Sequence, residues 1–318
     1  APPPALLQPA LLPDPEPPQP LSTAPASLPA RSSRVLVVED NPVNLAVAQR
    51  MLASLGLHSD HAENGAIALD MMSRTRYPLV LMDCQMPLLD GYTATRRWRA
   101  REAEGEEHLP IVAMTANAMA GDRQRCLDAG MDDYLSKPIS REGLKAVLGR
   151  WMTLPAPAAP TPADPASPAA PPQPAATLAA APAVESPASA TAAHPATTAS
   201  AHGPALDMAV LDELREVTGG ELRGIVGLFL EDAPKLIAEL ETASAIPDQD
   251  AMARAAHSLK SSSANLGAMS LSAAARRIEL GARQHALERP AVAAALVIAE
   301  FARVRVALQG YLAGLEPA

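Results

Sequence analysis

Between residues 31 and 153 short apolar runs alternate with amphipathic stretches. The runs at 35–38, 79–82 and 111–114 are continuously apolar, as strands covered on both faces are. Residues 42–55, 92–102, 120–129 and 141–151 carry apolar side chains at helical spacing. With a two-residue run at 134–135 and a weak strand at 58–62, the series predicts five βα units, the grammar of an α/β doubly wound, five-stranded parallel sheet. Beyond Leu206 the strand signal ends. Helical patterns at 207–217, 221–243, 248–266, 270–283 and 290–312, separated by short Gly or Pro punctuation, predict an all-α antiparallel bundle.

Composition divides the chain further. Its 33 prolines concentrate where periodicity is missing. Residues 1–30 form a Pro-rich stretch predicted to be a disordered lead-in, and 154–205, almost wholly Ala, Pro, Ser and Thr, a linker between a domain at 31–153 and one at 206–318. As a flexible coil that linker would separate its ends by roughly 40 Å, which holds the domains at an effective concentration of roughly millimolar. The net charge of -9, without runs of Lys and Arg among aromatics, argues against nucleic acid as a partner. Cys84 and Cys126 fall in different predicted elements, which suits reduced thiols in a cytoplasmic setting. No apolar run approaches the roughly eighteen residues of a membrane span, so this segment is expected to make no membrane contact. The chain opens at Ala1 inside the Pro-rich stretch, as a fragment of a longer protein would, and an upstream part anchored in the inner membrane is compatible with it.

Ligands of a parallel α/β sheet bind beyond the carboxyl ends of its strands. Glu39 and Asp40 follow the first predicted strand, Asp83 the third, Thr115 the fourth and Lys137 the fifth. Taken singly each has an ordinary explanation as a cap, a turn residue or a solvated charge. Jointly at strand ends they make a site. Carboxylates crowded to about 4 Å repel by roughly 4 kcal/mol per pair at an effective dielectric of about 20, so three of them call for a cation. Oxygen ligands without Cys or His favour Mg²⁺.

Four stretches in order, VLVVEDNPVN at 35–44, LMDCQMPLLDG at 81–91, AMTA at 113–116 and YLSKP at 134–138, resemble the response-regulator receiver domain, particularly that of hybrid histidine kinases. The resemblance implies a flavodoxin-like fold with strand order 2-1-3-4-5 and makes Asp83 the phosphoacceptor. It also implies Mg²⁺ ligation by Asp40, Asp83 and the Gln85 backbone carbonyl with help from Glu39, phosphoryl contacts from Thr115 and Lys137, a cis Lys137–Pro138 bond, and Tyr134 as the switch aromatic.

In the second domain, Met252, Ala256, Leu259, Ser263 and Leu266 mark the buried seam of one helix at spacings of four, three, four and three. On that wheel His257 points roughly 140° from the seam's centre and Lys260 roughly 80°. An exposed imidazole is therefore predicted, standing above the small residues Ala253, Ser261 and Ala264, with a lysine one turn along. A surface histidine is ordinarily just solvated, and the other six carry no comparable surroundings. The string AHSLKSSSANLGA at 256–268 resembles the histidine phosphotransfer domain, with Ser261 where many relatives have Gly. That resemblance implies a carrier role for His257.

Together these readings predict a phosphorelay segment, from a hybrid sensor histidine kinase. Asp83 would take a phosphoryl group from a kinase core, in cis upstream or in trans, and exchange it with His257, which would serve a downstream response regulator receiver. The chain carries no ATP-binding asparagine box or Gly-rich lid, so whether this segment counts as an enzyme stays open. Two rivals remain at this level. One is an aspartyl phosphohydrolase, whose usual second aspartate is replaced by Gln85, and the other is a docking protein indifferent to phosphorylation.

Overall fold

The computed structural model describes residues 34–103, 105, 107–115, 120–152, 154, 203–246 and 248–315; the expected lead-in at 1–30 and nearly all of the expected linker lie outside the described residues. The first unit runs β1 (Arg34–Val38), α1 (Pro42–Ser54), β2 (His58–Ala62), α2 (Gly65–Arg74), β3 (Val80–Asp83), α3 (Gly91–Glu102), β4 (Ile111–Thr115), α4 (Ala120–Asp128), β5 (Asp133–Ser136) and α5 (Arg141–Trp151). Its five strands are parallel in the order β2-β1-β3-β4-β5. Helix α2, absent from the sequence reading, starts at Asn64, whose side chain accepts hydrogen bonds from the Ala66 and Ile67 amides. The strand at 58–62 reads weakly because it is an edge strand, buried only at Ala62.

The pleat sorts the continuous apolar runs into two cores. Val35, Val37, Leu79, Leu81, Val112 and Met114 face α1 and α5. Leu36, Val38, Val80, Met82, Ile111 and Ala113 face the other side, toward Trp98 and Met72. Each fully buried Leu, Ile or Val contributes about 1.5–3 kcal/mol, so both faces fix the register in which Asp83 pairs with Met114 and Thr115 with Ser136. The thiols of Cys84 and Cys126 are free and buried and meet at 3.8 Å, although their elements are separate in sequence.

The second unit comprises α6 (Met208–Thr218), a 3₁₀ turn at Gly219–Glu221, α7 (Leu222–Ala245), α8 (Gln249–Asn265), α9 (Met269–Arg283) and α10 (Pro290–Gly314). Asp207 and Asp248 cap α6 and α8 with their side chains. Phe229 and Phe301 meet edge to face at 6.1 Å and pin α7 to α10. The bundle is not a separate bead. Helix α1 packs against α6, α7 and α8, and the apolar core on the α1 side of the sheet continues into the bundle. Among the described residues no helix is long and apolar enough to cross a membrane.

One glycine sets the position of the β3 end. A Cβ at Gly91, the first residue of α3, would lie 2.0 Å from the Asp83 carbonyl oxygen. Gly91→Ala is therefore expected to cost about 1–3 kcal/mol, read as a lowered midpoint in urea unfolding; an unchanged midpoint would show that the β3–α3 approach is looser than described.

Candidate functional site

The strand order brings the ends of β1, β3, β4 and β5 to one edge of the sheet, as the sequence reading expects. Asn41 caps α1 by accepting from the Val43 and Asn44 amides, and the chain just before it delivers buried Glu39 and half-buried Asp40. Carboxylate oxygens of Glu39, Asp40 and Asp83 all lie within 4.8 Å of one another. The Lys137 ammonium, turned inward beside a cis peptide to Pro138, donates to Glu39 Oε2 at 2.7 Å and to Asp83 Oδ2 at 2.6 Å. Asn44 Nδ2 donates to the other Glu39 oxygen at 2.9 Å, and the Gln85 amide to Asp83 Oδ1 at 3.2 Å. Thr115 is buried at the end of β4, where its carbonyl accepts from the Lys137 amide.

Three carboxylates against one ammonium leave the pocket short of positive charge. Burial, with Asp83 repulsion working against Lys137 attraction, pushes Glu39 up to about 8. Burial and then Asp83 raise Asp40 to about 6. Burial disfavours the Lys137 charge, yet Asp83 and Glu39 outweigh it and hold the amine protonated. The donor set fits a hard divalent cation, which would relieve the repulsion directly. Tyr134 lies half-buried on β5 with the Arg123 guanidinium 5.5 Å from its ring centre.

On α8 the predicted seam is borne out, with Met252, Ala256, Leu259, Ser263 and Leu266 all 0% exposed. The predicted exposure of His257 is not, since it is 7% exposed, and Lys260 one turn along is 8% exposed. The cover has two sources that a helical wheel cannot contain. One is α9, which brings Glu279 Oε1 to 2.7 Å from His257 Nδ1 and binds the Lys260 ammonium to its other oxygen. The other is the sheet edge. Asp83, Gln85 and Thr115 share with His257, Lys260 and Glu279 a cavity of about 50 Å³. His257 Nε2 is buried with no hydrogen-bond partner. The imidazole thus stands opposite Asp83 rather than free in solvent.

Lys260 is engaged by Glu279, with its Nζ 3.5 Å from His257 Nδ1. Burial lowers the His257 pKa, against the opposing hydrogen bond to Glu279. Burial works against the Glu279 carboxylate as well, but the His257 hydrogen bond and the Lys260 charge bring its pKa down to about 2. A neutral ring whose Nδ1 proton is held by a carboxylate presents Nε2 as a free lone pair, the form a nucleophile requires. Glu279 escaped the sequence reading. It had a signal, for it interrupts the buried stripe Leu271, Ala274, Ala275, Ile278 and Ala282 of α9 with an acid.

Comparison with known proteins finds two domain matches in the chain. Residues 35–149 match the response regulator receiver domain and residues 224–315 match the Hpt domain. The chain is 46% identical over 135 residues to the sensor protein GacS of Pseudomonas syringae pv. syringae, covering 41% of this chain and 15% of that protein. It is 40% identical over 114 residues to the sensor histidine kinase RcsC of Escherichia coli K12, covering 36% and 12%. The chain thus spans a small part of these relatives' length. Among solved structures, the receiver domain of sensor histidine kinase PA1611 of Pseudomonas aeruginosa PAO1, crystallised with magnesium in its active site cleft, is 49% identical, covering 38% of this chain and 97% of that one at a TM-score of 0.35. A complex of the Saccharomyces cerevisiae phosphotransfer protein Ypd1 with the Ssk1 receiver domain gives 29% identity, 38% and 89% coverage and a TM-score of 0.36.

The lowered His257 pKa carries a sign for stability. A histidine held neutral by burial contributes stability that is complete above its unfolded value near 6.5 and is lost as pH falls through the lower folded value. The thermal midpoint is expected to fall as pH drops below about 6.5, and His257→Gln should flatten that limb. Glu279→Gln should move the ring's NMR titration midpoint lower still, because Glu279 is what opposes the shift; a rise would contradict the assigned contact.

Proposed function

From a chain that joins a response regulator receiver domain to an Hpt domain, we propose a phosphorelay segment in which Asp83 accepts a phosphoryl group from a kinase histidine and exchanges it with His257, which passes it to a downstream response regulator receiver. The observation that carries this reading is the shared cavity, lined by both Asp83 and His257, the latter with its Nε2 buried and unpartnered. The resident domains are taken as 31–153 and 206–318, tethered by 154–205.

The step needs little beyond positioning and charge. The Nε2 lone pair attacks phosphorus in line, the bond from phosphorus to the Asp83 oxygen breaks, and the freed carboxylate returns to the Lys137 ammonium. No proton has to move. The ring becomes cationic, keeping its Nδ1 proton donated to Glu279, whose negative charge favours that product. Run backwards, the same contacts return the group to Asp83. Thr115 and Lys137 would hold the phosphoryl oxygens, and Lys260, whose ammonium rests on Glu279, would meet them from the bundle side. Glu39, Asp40 and Asp83, with the Gln85 carbonyl, would hold Mg²⁺, which neutralises charge on the transferring oxygens when bound. Tyr134 is assigned as the switch aromatic.

The likeness to GacS and RcsC supports a hybrid sensor kinase as the parent, with its kinase core in cis upstream or in trans and this segment in the cytoplasm. Acetyl phosphate with Mg²⁺ should place base-labile label on Asp83 and acid-labile label on His257. His257→Ala should retain only the first, and Asp83→Asn should lose both by at least about a hundredfold. Undiminished labelling of His257 in the Asp83→Asn chain would overturn the proposed order.

A further inference from the structure

We infer that the α8 face around His257 is an interface kept occupied by the receiver of the same chain, latched by Asn44 and Asn265, so that any second receiver has to wait for its release. This rests on the relay reading above and adds which partner holds the carrier and what limits its output.

The latch is specific. Asn265 Nδ2 donates to Asn44 Oδ1 at 2.8 Å, and the Asn44 amide in turn donates to Glu39, so Asn44 links the bundle to the acidic pocket. Both asparagines are buried. Around them Asn41 donates to Asp232 at 3.3 Å, Arg283 donates to Gln85, and Arg50 pairs with Glu221 at the exposed rim. On the receiver side, Asp83, Gln85 and Thr115 are among the residues that wall the cavity His257 lines. A second receiver must put its own aspartate in that same space, and two cannot be there together. Competition favours the resident one, since a tether supplies a roughly millimolar local concentration.

The contact is also built to open. His257 Nε2 and Asn265 Oδ1 are buried in it without hydrogen-bond partners, and each such atom regains water when the domains part. That suits a cover which must come off once per transfer.

The test uses full-length chains in pairs. The donor is the His257→Ala chain, phosphorylated on Asp83 with acetyl phosphate and Mg²⁺ and freed of reagent. The acceptors are Asp83→Asn chains with or without Asn44→Ala. In the acceptor Asn44 belongs only to the resident cover, while the incoming donor keeps its own Asn44 for Asn265. Removing it is expected to speed transfer to His257 about tenfold, the effect of losing one buried hydrogen bond. Arg50→Glu in the acceptor, an exposed change remote from the chemistry, should also speed it, by a few fold. Equal or slower transfer in both variants overturns the gating. If His257 stays unlabelled in every mixture and in the unmodified chain as well, the relay reading falls with it; if the unmodified chain labels His257 normally, only the gating falls.

Discussion

The arrangement depends on a buried ammonium. Lys137 sits between Glu39 and Asp83 at 2.7 and 2.6 Å, and without it two buried carboxylates would face each other uncompensated. Each of the three residues comes from the end of a different strand, so the ion pair can form only when the sheet closes in its observed order. The apolar packing of both sheet faces therefore supports a site that is electrostatically unfavourable on its own. The cluster stays one positive charge short of balance at each extra carboxylate, and this imbalance fits a metal and then a phosphoryl group.

The bundle answers with the opposite polarity. Glu279 collects His257, Lys260 and Arg283 around one carboxylate, leaving the imidazole neutral and the cationic residues around it. Asn44 and Asn265 join the two clusters by neutral amides, which set distance without adding charge to either side. The proposed transfer would then change where the negative group is held while the flanking charges stay in place, the preorganisation that phosphoryl transfer profits from.

Much of the receiver was legible because its chemistry lies in short local motifs. Continuous apolar runs located β1, β3 and β4, and the polar residues one step beyond them named the pocket. Helix α2 was missed although Ala68, Leu69 and Met72 recur at helical spacing behind its N-cap asparagine, and β2 read weakly because an edge strand needs few apolar side chains. On α8 the periodicity located the seam correctly, yet a wheel reports only the helix's own faces. The burial of His257 is decided by Glu279, twenty-two positions on, and by a domain more than a hundred residues away, and neither enters a one-helix argument. The single acid within the apolar stripe of α9 was the available clue.

The central claim is that Asp83 and His257 of one chain face each other across a common cavity. Rapid-quench measurement of label moving from Asp83 to His257 in the unmodified chain, repeated across a hundredfold dilution, addresses it most directly. The account predicts one first-order rate constant at every concentration. A rate that falls in proportion to dilution would mean that the two groups meet only between molecules, and would contradict the arrangement described.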